Sequence, residues 1–415
     1  MSAYACEPGK SSEPAVGWNW ALQAARHHEV WVLTRASNRN AIEAALVSEP
    51  VPNLHFVYHD LPPKLRFWKR GNRGVHLYYL LWQLSALRIV RQLHAEVRFD
   101  VGHHVTFVSQ RFPSFLAWLD LPYVWGPVAG AERAPSSFYG TFARGARLKQ
   151  RLRDLSNSLV RFDPLIRRTA RRAHTIIAAT PDTATALESS FGRPAQTSLA
   201  VGWSGTVADT QPVDGALKAV FVGRLVYWKG VHLALDALAV ALRMREGITL
   251  TIVGEGPERA RLEQQMHDLG IEDAVRFAGQ VLVEQVPSLL SEHNAFVFPS
   301  FQDSGGFAVL EAMAARLPVV ALASGGPALL VTPDTGVLVT PRNPRQTIDE
   351  LAAALVRLHD DPDRRARLGA AGAGRLQDEF TWDRLGDHLT QTYEHCIERE
   401  AVVTREPLYA GVLDG

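Results

Sequence analysis

The sequence predicts an α/β protein made of two successive Rossmann-like domains. Three observations predict it. Short β-rich apolar runs alternate with helical patterns along almost the whole chain. The alternation breaks once, over a Gly-, Pro-, Asp- and Thr-rich stretch at 201–215, and then restarts. The 415 residues exceed a single compact core and suit two domains of ordinary size.

In the first half, strands are predicted at Ser2–Cys6, Val30–Leu33, Leu54–Tyr58, Val101–His104, Tyr123–Trp125 and Thr175–Ala178. Helical patterns fall at Val16–Ala25, Asn38–Val47, Val75–His94, Arg144–Ala170 and Asp182–Phe191, with Pro181 suited to the first helical position of the last. The strands are continuous apolar runs, as required of parallel strands covered on both faces. After the linker, strands are predicted at Ala219–Val222, Thr249–Val253, Val275–Ala278, Ala295–Phe298, Val319–Leu322 and Gly336–Val339. Helices fall at His232–Met244, Glu258–Leu269, Glu284–Leu290, Ala308–Ala315 and Thr347–His359. In Glu258–Leu269 the positions Ala260, Leu262, Met266 and Leu269 form one apolar face. Domains are thus set at 1–200 and 216–375. Arg364–Glu398 is helical with a break at Phe380–Trp382, and 399–415 is a tail.

Composition narrows the class. Apolar residues make up 47% and charged residues 21%, an ordinary globular mix. The net charge of +1 provides no global field for nucleic acid. Two cysteines, Cys6 and Cys396, form no disulfide framework and fit a reducing, cytoplasmic compartment. No run of about 18 apolar residues predicts a transmembrane helix, and Met1–Cys6 lacks the basic start of a signal peptide.

Ligands of open parallel sheets bind outside the carboxyl ends of the strands, and the second domain places polar chemistry there. Its first strand exits through Gly223-Arg224-Leu225 towards Lys229-Gly230, a fork-shaped cation and an ammonium just before a helix. That pairing suits a diphosphate, although a solvated basic loop would read the same way. The second strand ends in Gly254-Glu255-Gly256-Pro257, a weak signal by itself. The fourth leads through Asp303 and Gly305-Gly306 into a helix carrying Glu311. The glycines let backbone approach a ligand, Asp303 can accept from sugar hydroxyls, and Glu311 can accept from ribose hydroxyls. Ser324–Pro327 ends the next strand as either a turn or a lining segment.

Together these residues resemble family 4 of the glycosyltransferases, the large retaining GT-B family. The resemblance rests on an acidic residue, seven intervening residues and a glutamate, here Asp303 to Glu311 within Phe298–Ala314. It also rests on Gly223–Leu225 with Lys229-Gly230, and on Gly254–Pro257. Most members carry glutamate where this chain has Asp303, one methylene shorter. The resemblance implies a GT-B fold with two Rossmann-like domains across a cleft, and a C-terminal helix at 376–400 crossing back to the first domain. It implies a nucleotide-diphosphate sugar as donor, with Arg224 and Lys229 on the diphosphate. Asp303 and the backbone of Gly305, Gly306 and Phe307 would hold the sugar, Val309 would lie at phosphate or ribose, Glu311 would bind ribose, and the base would lie near Val281 and Leu282. The acceptor would be a glycan or a lipid-linked sugar, with no nucleic acid involved.

In the first domain Gly17 opens a helix and could face the phosphates, while Ser12 and Ala15 stand where related loops carry glycine. The short first strand implies a start upstream of Met1. A histidine at the end of the fourth strand faces the cleft in related chains. Residues alternate between faces, which selects His104, with His103 as the alternate and a buried structural histidine as the competing reading. Trp125–Glu132 reads as acceptor-side lining. Arg144–Arg172 holds ten Arg/Lys against Asp154 and Asp163. It reads as a basic amphipathic helix for peripheral contact with the inner membrane face, or as a solvated face. The segment 63–70 adds basic and aromatic character.

No His/Cys cluster is present, and no metal or other cofactor is expected. Cations and helix dipoles would then stabilise the leaving diphosphate. The retaining chemistry of the family implies front-face attack. The competing readings are a nucleotide-sugar epimerase of the same fold and a non-catalytic nucleotide-sugar-binding module.

Overall fold

The computed structural model describes residues 1–10, 13–69, 74–209 and 215–405, with side chains to 398. Ser11 and Ser12 of the first loop, Arg70 of the basic segment, 210–214 of the linker and the tail from 406 lie outside the described residues.

The first domain carries β1 (Ser2–Ala3), β2 (Val30–Arg35), β3 (Leu54–His59), β4 (Gly102–Thr106), β5 (Tyr123–Val128), β6 (Thr175–Ala178) and β7 (Gln196–Thr197). Its helices are α1 (Glu13–Ala25), α2 (Arg39–Ser48), α3 (Val75–Val97), α4 (Arg144–Leu159), α5 (Pro164–Arg172) and α6 (Pro181–Phe191). The second carries β8 (Lys218–Val222), β9 (Thr249–Val253), β10 (Val275–Gly279), β11 (Ala295–Phe298), β12 (Val319–Leu322) and β13 (Gly336–Val339). With these go α7 (Val231–Leu242), α8 (Arg259–Leu269), α9 (Val286–Ser291), α10 (Phe307–Ala314), α11 (Pro327–Leu330), α12 (Pro344–Asp360) and α13 (Pro362–Glu379); α14 (Trp382–Arg405) closes the chain.

The sheets run in the orders β3-β2-β1-β4-β5-β6-β7 and β10-β9-β8-β11-β12-β13, and every named pair is parallel. Both are doubly wound, so the strand order reverses between β1 and β4 and again between β8 and β11. These are the two crevices where such sheets bind ligands. The predicted strands all form, because runs such as Ala295–Phe298 and Val319–Leu322 are buried throughout.

Two expectations are corrected, and the linker is found tied to the C-terminal helices. The single helix over Arg144–Ala170 is two helices with a 3-10 turn at Val160–Phe162 between them. Asp163 restarts the helix: its side chain accepts from the Leu165 and Ile166 amides at 2.8 and 3.2 Å, and Pro164 takes the first helical position. The linker is not free, because Trp203 bridges Thr381 and its amide donates to the Phe380 carbonyl at 2.8 Å. The first domain does not end cleanly at residue 200 in space either. Ala134, Phe138 and Phe142 are buried in the core of the second domain. The Phe138 ring lies 4.8 Å from that of Phe301, and Phe142 lies 5.1 Å from Tyr227. Each buried phenyl group stabilises this junction by roughly 1.5–3 kcal/mol. β7 and α11 were not predicted, being only two and four residues long.

The crossing C-terminal helix is present. α14 packs on α1, with Trp382 edge-on to Trp20 at 6.0 Å and the Tyr393 hydroxyl 2.6 Å from His103 Nδ1. The crossing point is Phe380–Trp382, so 376–379 still belong to α13. Among the described residues no helix is long and apolar enough to cross a membrane.

Candidate functional site

The reversal between β8 and β11 places two loops side by side. The loop after β8 folds into a short turn ending at Gly230, whose φ is +68°. A side chain there would meet the Pro299 carbonyl oxygen at 1.9 Å, so glycine is needed both for conformation and for contact. The Phe301 amide then donates to the Trp228 carbonyl at 2.8 Å. Lys229 is thereby held over the Phe298 ring, 4.6 Å from its centroid, where it pairs with Asp303 Oδ2. The other Asp303 oxygen accepts from the Gly306 amide at 2.6 Å, and the Asp303 carbonyl accepts from the Gly326 amide at the same distance. Asp303 thus ties the Lys229 loop, the glycine pair and the turn after β12 into one unit.

Gly306 ends that loop and α10 begins at Phe307. The Phe307 and Ala308 amides have no acceptor among the described residues, so the helix start presents free N–H groups. The carboxylate of Glu311, on the same short helix, has no hydrogen-bond or ion-pair partner among the described residues. Burial alone pushes its carboxyl up to about 7. A desolvated carboxylate without a protein donor is suited to donors from a ligand. Arg224 is exposed at the exit of β8 with no partner among the described residues.

The other predicted residues receive different surroundings. Val309 is fully buried, and its amide donates to the Gly306 carbonyl at 2.9 Å, directly behind the glycine pair. Gly254 packs on the β8 loop, where a side chain would meet the Gly223 carbonyl oxygen at 2.0 Å. Gly223 itself donates to the Val253 carbonyl at 3.0 Å. Leu282 is exposed and Val281 half-buried beyond β10, at the edge of the sheet. Gly17 is buried inside α1, where a side chain would strike the Ala5 carbonyl oxygen at 2.0 Å. Its glycine is accounted for by close packing of α1 on the loop that follows β1.

Neither histidine of β4 faces the cleft, which corrects the expectation for His104. Both are buried, and they point to opposite faces of the sheet as alternation requires. His103 bonds Tyr393 and the Gly126 carbonyl, both at 2.6 Å, while His104 Nε2 lies 3.0 Å from the Tyr79 hydroxyl. Burial pushes both imidazoles down to about 3, so both are neutral at ordinary pH. The strand is covered on both sides, by α14 and α3, which the local sequence did not reveal.

What faces the second domain is a polar cleft of ≈ 330 Å³ whose lining includes Arg111, Gly130, Glu132 and Arg153 on one side and Trp228, Gln302 and Ser304 on the other. Of Trp125–Glu132, read from the sequence as acceptor-side lining, Ala129, Gly130 and Glu132 line this cleft. Arg111 and Arg153 were missed, since Arg153 was one of ten cations on a helix taken as a solvated or lipid-facing surface. Gln302 and Ser304 flank Asp303 directly, and that adjacency was the available signal. Glu13 was also missed: its carboxylate accepts from the Val108 amide at 2.7 Å and ties α1 to the loop after β4.

Comparison with known proteins agrees with this geometry. Residues 208–375 match the family described as glycosyl transferases group 1. A glycogen synthase of Mycobacterium tuberculosis is 35% identical over 187 residues, covering 45% of this chain and 44% of its own length. A D-inositol 3-phosphate glycosyltransferase of Frankia alni is 36% identical over 200 residues, covering 46% and 47%. The aligned segments therefore span less than half of these relatives. Over nearly the whole chain the fold matches Anabaena HepE in complex with UDP and glucose, with a TM-score of 0.56, 20% identity and 94% and 98% of the two chains covered. It also matches sucrose-phosphate synthase from Thermosynechococcus elongatus, at 0.60, 20%, 95% and 95%. Residues 208–375 thus belong to the glycosyl transferases group 1, and the chain that carries them has the two-domain GT-B fold.

Proposed function

We propose that this chain is a retaining, metal-independent glycosyltransferase. It moves a hexose from a nucleotide-diphosphate sugar to a hydroxyl of a glycan or lipid-linked acceptor, in bacterial polysaccharide or glycolipid synthesis on the cytoplasmic side. One observation carries the reading: the Lys229–Asp303–Gly306 bridge sits at the crevice of the second sheet beside a desolvated, unpaired Glu311. The UDP and glucose held by Anabaena HepE support a donor of this kind. In this reading Arg224, Lys229 and the free amides of α10 stabilise the charge developing on the diphosphate. Asp303 and the backbone at Gly305–Phe307 hold the sugar, and Glu311 accepts from ribose hydroxyls. The acceptor oxygen attacks from the face the diphosphate leaves, and the departing phosphate takes its proton.

Incubation with UDP-, GDP- and ADP-sugars, read by mass spectrometry and by the anomeric coupling of the product, tests this. Turnover should persist in EDTA, fall by about 10²–10³-fold in Lys229→Ala, and fall by less in Glu311→Ala. Absence of turnover and of nucleotide affinity with every donor would end the reading. An inverted product, or a requirement for a divalent ion, would end its finer part.

Membrane contact is supported by α4, which is turned inside out. Its polar Gln150 and Asn157 are buried, whereas Leu148, Leu152, Leu155 and Leu159 are each more than half exposed. Exposed Arg144, Lys149, Arg151 and Arg161 flank the leucines. An apolar stripe edged by cations suits an anionic lipid surface. The protein should float with phosphatidylglycerol vesicles and not with phosphatidylcholine. The triple substitution Leu148→Ser, Leu152→Ser, Leu155→Ser should abolish flotation. Equal flotation of that variant would remove α4 from the contact.

A further inference from the structure

The interdomain cleft holds two guanidinium groups with too little anionic partnership from the protein. Arg111 uses Nε on Asn157 Oδ1 at 2.7 Å, and its Nη atoms have no acceptor among the described residues. Arg153 donates to the Gly130 carbonyl at 3.3 Å and lies 3.7 Å from Glu132, while its buried Nε has no partner. Among the described residues Glu132 is the only carboxylate lining this cleft, and it is already engaged. It is nearly fully buried and accepts from Thr180 Oγ1 at 2.9 Å, Thr183 Oγ1 at 3.3 Å and the Gly130 amide at 3.1 Å. The adjacent Asp154 is turned away, towards the Tyr139 hydroxyl and Gln150. Burial first, and then the neighbouring Arg153 charge, lower the Arg111 pKa, and the Glu132 and Asp154 charges offset this only in part.

Two partly desolvated forks facing one polar cavity are costly without an anion between them. A single carboxylate satisfies one fork, whereas a phosphate has enough oxygens for both. The opposite wall is Gln302 and Ser304, the neighbours of Asp303. A group held by Arg111 and Arg153 therefore lies against the loop that carries Asp303, through its neighbours Gln302 and Ser304. We infer that the acceptor carries a phosphate ester, and that Arg111 and Arg153 bind it across the cleft from Ser304. This inference rests on the transferase reading for the word acceptor, but the anion site itself does not depend on the donor.

The test uses the full chain carrying Arg224→Ala and Lys229→Ala, so that phosphate cannot report on the diphosphate residues. Ligand-observed NMR titration would compare glucose 6-phosphate, glucuronate and glucose. Glucose 6-phosphate should bind at least about tenfold more tightly than glucose and be displaced by inorganic phosphate. Adding Arg111→Gln should lower its affinity about tenfold, in line with the loss of one charge-assisted hydrogen-bonding partner. Arg153→Gln should do the same, with thermal melting reporting any loss of fold, and Arg111→Lys should restore part of the affinity. If the phosphate ester binds no better than glucose, or if the Arg111 variants leave its affinity unchanged, the inference is overturned. If glucuronate binds as tightly as the phosphate ester, the assignment to phosphate is overturned. Failure of the donor reading appears separately, as loss of nucleotide affinity in the unsubstituted chain.

Discussion

The two sheets have the same doubly wound order around their reversal points, yet among the described residues only the reversal point of the second sheet leaves polar groups such as Arg224 and Glu311 uncommitted. Between β8 and β11 the loops touch through backbone and glycine, leaving Arg224, Glu311 and the first amides of α10 uncommitted. Between β1 and β4 the space is filled. Thr106 Oγ1 lies 3.0 and 3.3 Å from the Ala5 amide and carbonyl, and the rings of Tyr4, Tyr79, Trp82 and Phe107 pack at 4.4–5.3 Å around them. Topology therefore supplies a place for a ligand, and side-chain commitment decides whether the place is used. The first domain contributes instead from the loops after β4 and β5 and from the inner face of α4.

Four tests would break or sharpen that contrast. The largest effect is expected at Lys229. Removing its ammonium should cut kcat/KM with a nucleotide sugar by about 10²–10³-fold, the usual cost of losing one charge-stabilising group. Because Lys229 and Asp303 act through one ion pair, the double variant Lys229→Ala/Asp303→Ala should be little worse than the single one. Additive losses would show that the two residues work independently.

Gly230→Ala should follow. It combines a left-handed φ with a backbone overlap, and should cost at least about 3 kcal/mol, a fall of roughly 6–12 °C in the melting temperature of its domain. Gly192→Ala, at φ +64° but in open space, should cost only about 1 kcal/mol. Equal losses in calorimetry would mean that loop contact adds nothing to conformation.

Glu311 provides a pH signature. Its raised pKa means that the empty folded protein disfavours the ionised form, so the stability contribution present below pH 4.5 is lost as pH rises through about 7. Ribose hydroxyls would favour the ionised form. Nucleoside diphosphate affinity should therefore weaken as pH falls through 7, with proton release on binding near pH 6–7. Calorimetry in two buffers of different ionisation enthalpy measures this. Glu311→Gln should abolish the release and raise the melting temperature at pH 8 but not at pH 4. Unchanged proton release in that variant would exclude Glu311 from ribose contact.

The smallest effect is expected in the closed region. His103 and His104 are neutral when folded, so they favour the fold above about pH 6.5, and that stability is lost as pH falls towards 3. His104→Gln should lower the melting temperature by about 2–4 °C at pH 7, for one buried hydrogen bond. The pH–rate profile between 5 and 8 should not move. Loss of an ionisation in that window would return His104 to the reaction.

Strand positions and the two-domain division were legible because each buried parallel strand is a short apolar run set off by turn residues, as in Ala295–Phe298 before Pro299. The residues of the second domain were legible for a related reason. Gly223–Gly230 and Asp303–Glu311 lie close in sequence, at strand ends, where local order already implies convergence. What depends on distant chain segments was not legible. α14 covers His103 from 290 residues away, and α3 covers His104, so the strand end that looked exposed is sealed on both faces. The buried face of α4 is set by Tyr227 and Gln302, which engage Gln150 from the other domain. That contact turns the leucines outward and Arg153 inward, against the simple rule that apolar residues face the core. Local patterning thus determined the elements and the donor-side residues of this protein. Only tertiary packing decided which strand ends stayed open, because desolvation and polar partnership are properties of the neighbours a residue meets in space.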